Sequence, residues 1–148
     1  MPGRESRRVA PVLWLLLLAF VLRVAGQVLV VFFGVTWLPA MEAWMSGLMP
    51  YRHLLPAQLV IIVVYGKICL DFTRGTGWFV RTRPAFGRGV LGFAYVYFTV
   101  MLLRLGTFFL PAASSLAKWI PIVFHLVLAS FLIVFGRWHR ARLAEAQS

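Results

Sequence analysis

The residues Leu18 to Leu38 read LAFVLRVAGQVLVVFFGVTWL. The run is long enough to cross ~30 Å of hydrocarbon as a helix, which takes ~20 apolar residues. Only Arg23 and Gln27 interrupt it, close to its middle. A permanent cation in that setting costs ~2.5–3.5 kcal/mol on an insertion scale, so something must offset it. The reading of this stretch decides the fold class and supplies the first functional clue.

The rest of the chain has the same character. Of its 148 residues, 61% are hydrophobic, and the mean hydropathy is +0.86. The apolar residues collect into four blocks, at about residues 11–38, 55–72, 89–110 and 119–138. Lipid offers no partner for free backbone groups, and no alternating strand pattern is present, so the blocks read as helices. The expected fold is all-α: one domain over residues 1–148, an integral membrane bundle of four transmembrane helices. Pro56 and Pro121 are expected in first turns, where proline is tolerated.

The net charge of +11 is distributed unevenly. Arg4, Arg7 and Arg8 precede the first block. Arg74, Arg81, Arg83 and Arg88 lie between the second and third, and Arg137, Arg140 and Arg142 close the fourth. The other side has only Arg52 and Lys118. The positive-inside rule therefore puts both termini in the cytoplasm of a multi-pass cell (inner) membrane protein. A cleaved signal peptide over Met1 to Gly26 fits less well, because the apolar run resumes directly after Gln27. Basic residues flanking apolar runs face lipid phosphates, so the lipid bilayer is the expected partner and nucleic acid is not. Arginine outnumbers lysine 13 to 2 and asparagine is absent. This composition suits a GC-rich bacterial genome and rules out N-glycosylation. The single cysteine, Cys69, excludes an intramolecular disulfide and a cysteine metal cage.

At 3.6 residues per turn, Arg23, Gly26, Gln27, Val30, Gly34 and Trp37 share one stripe of the first span. Polar and small residues favour the interior of a membrane bundle, leaving the leucines to lipid. On the second span Gln58, Ile62, Tyr65 and Cys69 share a face, with Lys67 and Asp71 opposite as an i,i+4 ion pair near the cytoplasmic end. On the third, Phe93, Tyr97, Val100 and Arg104 align. On the fourth, His125 aligns with Leu128, Ala129, Leu132 and Gly136. The orientation places Arg23 near mid-membrane and Gln27, Gln58, Arg104 and His125 in the outer half. The first external loop, PAMEAWMSGLMPYRH, is positioned to cover them.

Arg23, Gln27, Gln58, Tyr97, Arg104 and His125 are thus the candidate ligand-binding residues. Two guanidiniums without matched carboxylates suit an anionic or carbonyl-bearing ligand, such as a quinone, a lipid phosphate or a sulfur oxyanion. The alternatives are a non-catalytic subunit whose polar stripe packs against another membrane protein, and a carrier of polyprenyl-phosphate lipids. In a purely structural reading, Arg23 bonds backbone carbonyls or Gln58 and Arg104 snorkels. Bis-histidine haem is disfavoured, since only His53 and His125 approach one level. No catalytic triad, phosphate loop or zinc motif occurs, so no catalytic or metal residue is assigned. The loop between the second and third spans interleaves arginines with Trp78, Phe79 and Phe86, which suits a membrane anchor.

The segment LRVAGQVLVVFFGVTWL, with Arg23 followed by Gly26 and Gly34, resembles the opening helix of DoxX-like membrane proteins. The loop ending in MPYRHLLPAQ is compatible with that family. The resemblance implies a small four-helix fold and a link to quinone or sulfur chemistry. Relatives in that family serve as the membrane subunit of thiosulfate:quinone oxidoreductase. It makes Arg23 the residue to carry a functional role.

Overall fold

The computed structural model describes residues 2–44, 50–81, 83–107 and 119–145. The chain forms α1 (Pro2–Phe33), the short α2 (Met41–Trp44), α3 (Tyr51–Arg74), α4 (Pro84–Thr107) and α5 (Trp119–Glu145). No strand occurs among the described residues. Four of the helices are long and apolar enough to cross a membrane, so this is a multi-pass, all-α membrane protein. Leu15, Leu22, Val63, Val96 and Leu103 are exposed on their surfaces. Such broad apolar exposure is stable in hydrocarbon and a liability in water.

The four spans are where the hydropathy blocks put them, but their ends differ. α1 begins at Pro2 and runs through Pro11, so the expected start at residue 11 is an interior position. It stops at Phe33 because Gly34 turns left-handed (φ +59°), and Val35 N–H then donates to Leu29 O at 3.5 Å. Gly34 and Trp37 therefore leave the expected stripe, and Trp37 is 78% exposed. α3 starts at Tyr51, which moves Pro56 from the first turn into the second. Pro121 does fall in the first turn of α5. α4 starts at Pro84, a favourable first-turn proline. The expected end of the third span at residue 110 lies outside the described residues.

The core lies between α1, α3 and α5. Leu13 and Leu17 of α1 meet Ile68, Cys69 and Phe72 of α3 and Phe131, Phe135 and Trp138 of α5. Large rings bridge α3 to α5. Tyr65 stacks on Phe131 with centroids 3.9 Å apart, and Phe72 meets the edge of Trp138 at 4.8 Å. α4 stands outside this triangle, its backbone approaching only that of α5. The approach is close because of two glycines. A Cβ on Gly136 would lie 3.0 Å from Leu91 Cβ, and one on Gly87 would lie 2.8 Å from His139 Cβ. Such small-residue seams are the usual way for membrane helices to gain contact area. Glu5 pairs with Arg142 at 3.4 Å, so both termini lie at one end of the bundle.

The connection from α3 to α4 packs more deeply than expected. α3 closes in a Schellman turn: Gly75 is left-handed, and Gly75 and Thr76 N–H both reach Asp71 O, at 2.9 and 3.2 Å. The chain then folds under the bundle. Val80 is buried, and Phe79 and Phe86 pack on Phe135. This return covers Asp71, which pairs with Lys67 and accepts Phe79 N–H at 3.3 Å. The ion pair exists as expected, with its carboxylate buried and its lysine exposed. His139, one residue past the expected end of the fourth span at residue 138, is buried within α5.

Candidate functional site

The polar groups in the half of the bundle away from the termini form two sets. The first joins α1, α2 and α3. Arg23 and Gln27, one turn apart, both point at the C-terminal carbonyl of α2. Arg23 Nη2 donates to Trp44 O at 3.1 Å, and Gln27 Nε2 donates to it at 3.0 Å. A carbonyl at a helix end has no intrahelical partner, and here two buried donors supply one. Because Trp44 O can only accept, Gln27 must present its amide nitrogen there. Its Oε1 then accepts Gln58 Nε2 at 2.9 Å and Arg23 Nη1 at 3.4 Å. The order of donors and acceptors is fixed from one end.

That chain leaves two atoms over. Arg23 Nε and Gln58 Oε1 are buried with no hydrogen-bond partner among the described residues. Gln27 is fully buried, and Arg23 is 7% exposed. Among the described residues no carboxylate pairs with this guanidinium. Asp71 pairs with Lys67 and Glu5 with Arg142, and Glu42 is exposed. Arg23 instead lies over the ring of Phe124, 5.4 Å from its centroid. Beside it is a groove of about 430 Å3 lined by Ala19, Leu22, Arg23, Trp44, Ile120 and Phe124. Its wall is hydrocarbon and aromatic apart from Arg23.

Trp44 is the residue that sequence reasoning missed. Its position in the loop suggests an interfacial anchor, yet it is buried and closes the stripe. Its indole Nε1 donates to Pro39 O at 2.8 Å, which holds the ring in place. The ring lies against Gly26, where a Cβ would come 2.9 Å from Cη2. The sequence signal was Gly26 itself, a gap between Arg23 and Gln27 that a side chain from the covering loop can fill.

The second set joins α4 to α5. The Tyr97 hydroxyl shares a hydrogen bond with His125 Nδ1, and Phe93 stacks on Tyr97 at 5.7 Å. Arg104 is half-buried on α4. Arg23 lies over Phe124, the residue before His125 on α5, which makes the two sets neighbours. The structure therefore joins Arg23, Gln27 and Gln58 directly, joins Tyr97 to His125, and leaves Arg104 two turns beyond Tyr97 on α4. His53 is exposed and accepts Arg52 Nε–H at 3.0 Å, while His125 faces Tyr97, so the two are engaged separately. Among the described residues no three His, Cys, Asp or Glu side chains are grouped for a metal.

Compared with known proteins, the chain matches no family model, no curated protein and no solved structure.

Proposed function

We propose that this is a small inner-membrane protein, both termini cytoplasmic, that binds a lipid-soluble ligand with a carbonyl or anionic head at Arg23. The observation that carries the reading is a buried guanidinium with no carboxylate and an unpartnered Nε, set beside an apolar groove. An isoprenoid or acyl chain suits the groove, and an oxygen acceptor suits the guanidinium. A quinone and a polyprenyl phosphate both have this form. The resemblance of the first span to DoxX-like proteins favours the quinone and a redox-linked subunit. The orientation rests on the arginines gathered at the end that holds the termini.

One observation favours a second reading. Four hydrogen bonds tie Arg23, Gln27, Gln58 and Trp44 into a clamp across three helices, as a structural subunit of a larger complex would need. Native mass spectrometry of the gently extracted protein, with an optical spectrum of the same sample, separates the two. The ligand reading expects a retained oxygen-bearing lipid-soluble molecule that Arg23→Leu loses while still folding, since Gln27 continues to serve Trp44 O. A bare wild-type chain bound to another membrane protein would establish the structural reading instead.

A further inference from the structure

At the end that holds the termini, α4 and α5 enclose a second groove of about 430 Å3. It is lined by Leu91, Tyr95, Arg137, Arg140 and Ala141. Two guanidiniums and a phenol stand over two small apolar surfaces, and no acidic residue lines it among the described residues. Arg137 and Arg140 are three residues apart on α5 and so share one side of the helix. Arg88, exposed on α4 one turn before Leu91, adds to the positive potential.

Three other basic side chains at this end are occupied. Arg7 donates to Arg74 O at 3.2 Å, Arg83 lies 4.4 Å over the Trp78 ring, and Arg142 pairs with Glu5. Arg137 and Arg140 are exposed and make no ion pair or hydrogen bond among the described residues. The base of the groove is firm, because Gly136 brings α5 against Leu91 at this level. Both arginines fall in the last turns of the span Ile120–Arg142, where a membrane helix reaches the head-group layer. Basic pockets between helices at that level hold phosphate head groups. Guanidiniums recognise phosphate oxygens with paired hydrogen bonds.

We propose that this groove binds the phosphodiester head group of an anionic glycerophospholipid. Arg137 and Arg140 hold the phosphate oxygens, the Tyr95 hydroxyl donates to the same group, and the first acyl carbons lie along Leu91 and Ala141. A zwitterionic head group brings its own cation against the arginines and binds less well.

The test is lipid titration of the full chain in detergent, read by native mass spectrometry, with phosphatidylglycerol and phosphatidylcholine as probes. Each interfacial arginine contributes about five-fold, so Arg137→Gln/Arg140→Gln is expected to weaken phosphatidylglycerol binding about twenty-five-fold. The control pair Arg4→Gln/Arg8→Gln removes two exposed arginines from the same end and is expected to leave binding within about two-fold. Phosphatidylcholine binding should be insensitive to either pair. Equal losses in the two pairs would reduce the effect to general surface charge and overturn the site, as would no loss in the first pair. Displacement of the lipid by millimolar glycerol phosphate or inorganic phosphate would assign the groove to a soluble phosphate and overturn the lipid.

Discussion

Gln27 is the pivot of the buried polar chain, because both ends of its amide are used. Replacing it with Leu leaves Gln58 without its one hydrogen bond and removes a donor from Trp44 O. A buried polar group left unpaired costs about 1–3 kcal/mol, so Gln27→Leu is expected to lower the thermal midpoint in detergent clearly. Arg23→Leu should lower it less, since it strands no partner. Gly26 and Trp44 act as one unit. Gly26→Val and Trp44→Ala should each destabilise, and the double variant should be little worse than either alone, a non-additivity that a thermal double-mutant cycle reads directly. At this scale the sequence was half legible. The stripe through Arg23 and Gln27 announced itself by its spacing, and Gln58 by sharing their level. The acceptor they serve did not, because a backbone carbonyl carries no side-chain signal. The burial of Asp71 and His139 was not legible for a related reason. Helical periodicity assigns faces, but the loop that folds under the bundle decides what is covered.

The seam between α4 and α5, the most extensive helix pairing among the described residues, is brought close by two glycines. Gly136→Leu would push into Leu91, and overpacking of that kind costs about 1–3 kcal/mol. Gly92→Leu supplies the control on α4, since a Cβ there has open space. The expectation is a lowered unfolding midpoint for Gly136→Leu and an unchanged one for Gly92→Leu. Helix identity was legible from hydropathy alone, because long apolar blocks admit few other structures in lipid. Helix ends were not. α1 passes through Pro11 and stops at Gly34, and α3 begins four residues ahead of Leu55. Such boundaries depend on turn conformations that apolar blocks do not encode.

Across the whole molecule, charge and packing point the same way. Most basic residues outside the spans lie at the end where Glu5 meets Arg142. With Cys69 replaced by Ala, an impermeant thiol reagent applied to intact cells should label Arg52→Cys and leave Arg8→Cys and Arg81→Cys unlabelled. The reverse pattern would invert the protein in its membrane. The order of the helices in space also bears on how the chain is made. α4 is synthesised before α5, yet α5 is the helix it packs against. α1 and α3 can pair as soon as both have entered the membrane. α4 must then wait in lipid, with its α5-facing side unmatched, until α5 arrives and binds both halves at once. The entry of α5, rather than any earlier point in translation, is therefore the moment at which this bundle becomes a single object. A chain truncated before α5 would leave quality-control proteases one stable helix pair and one solitary helix.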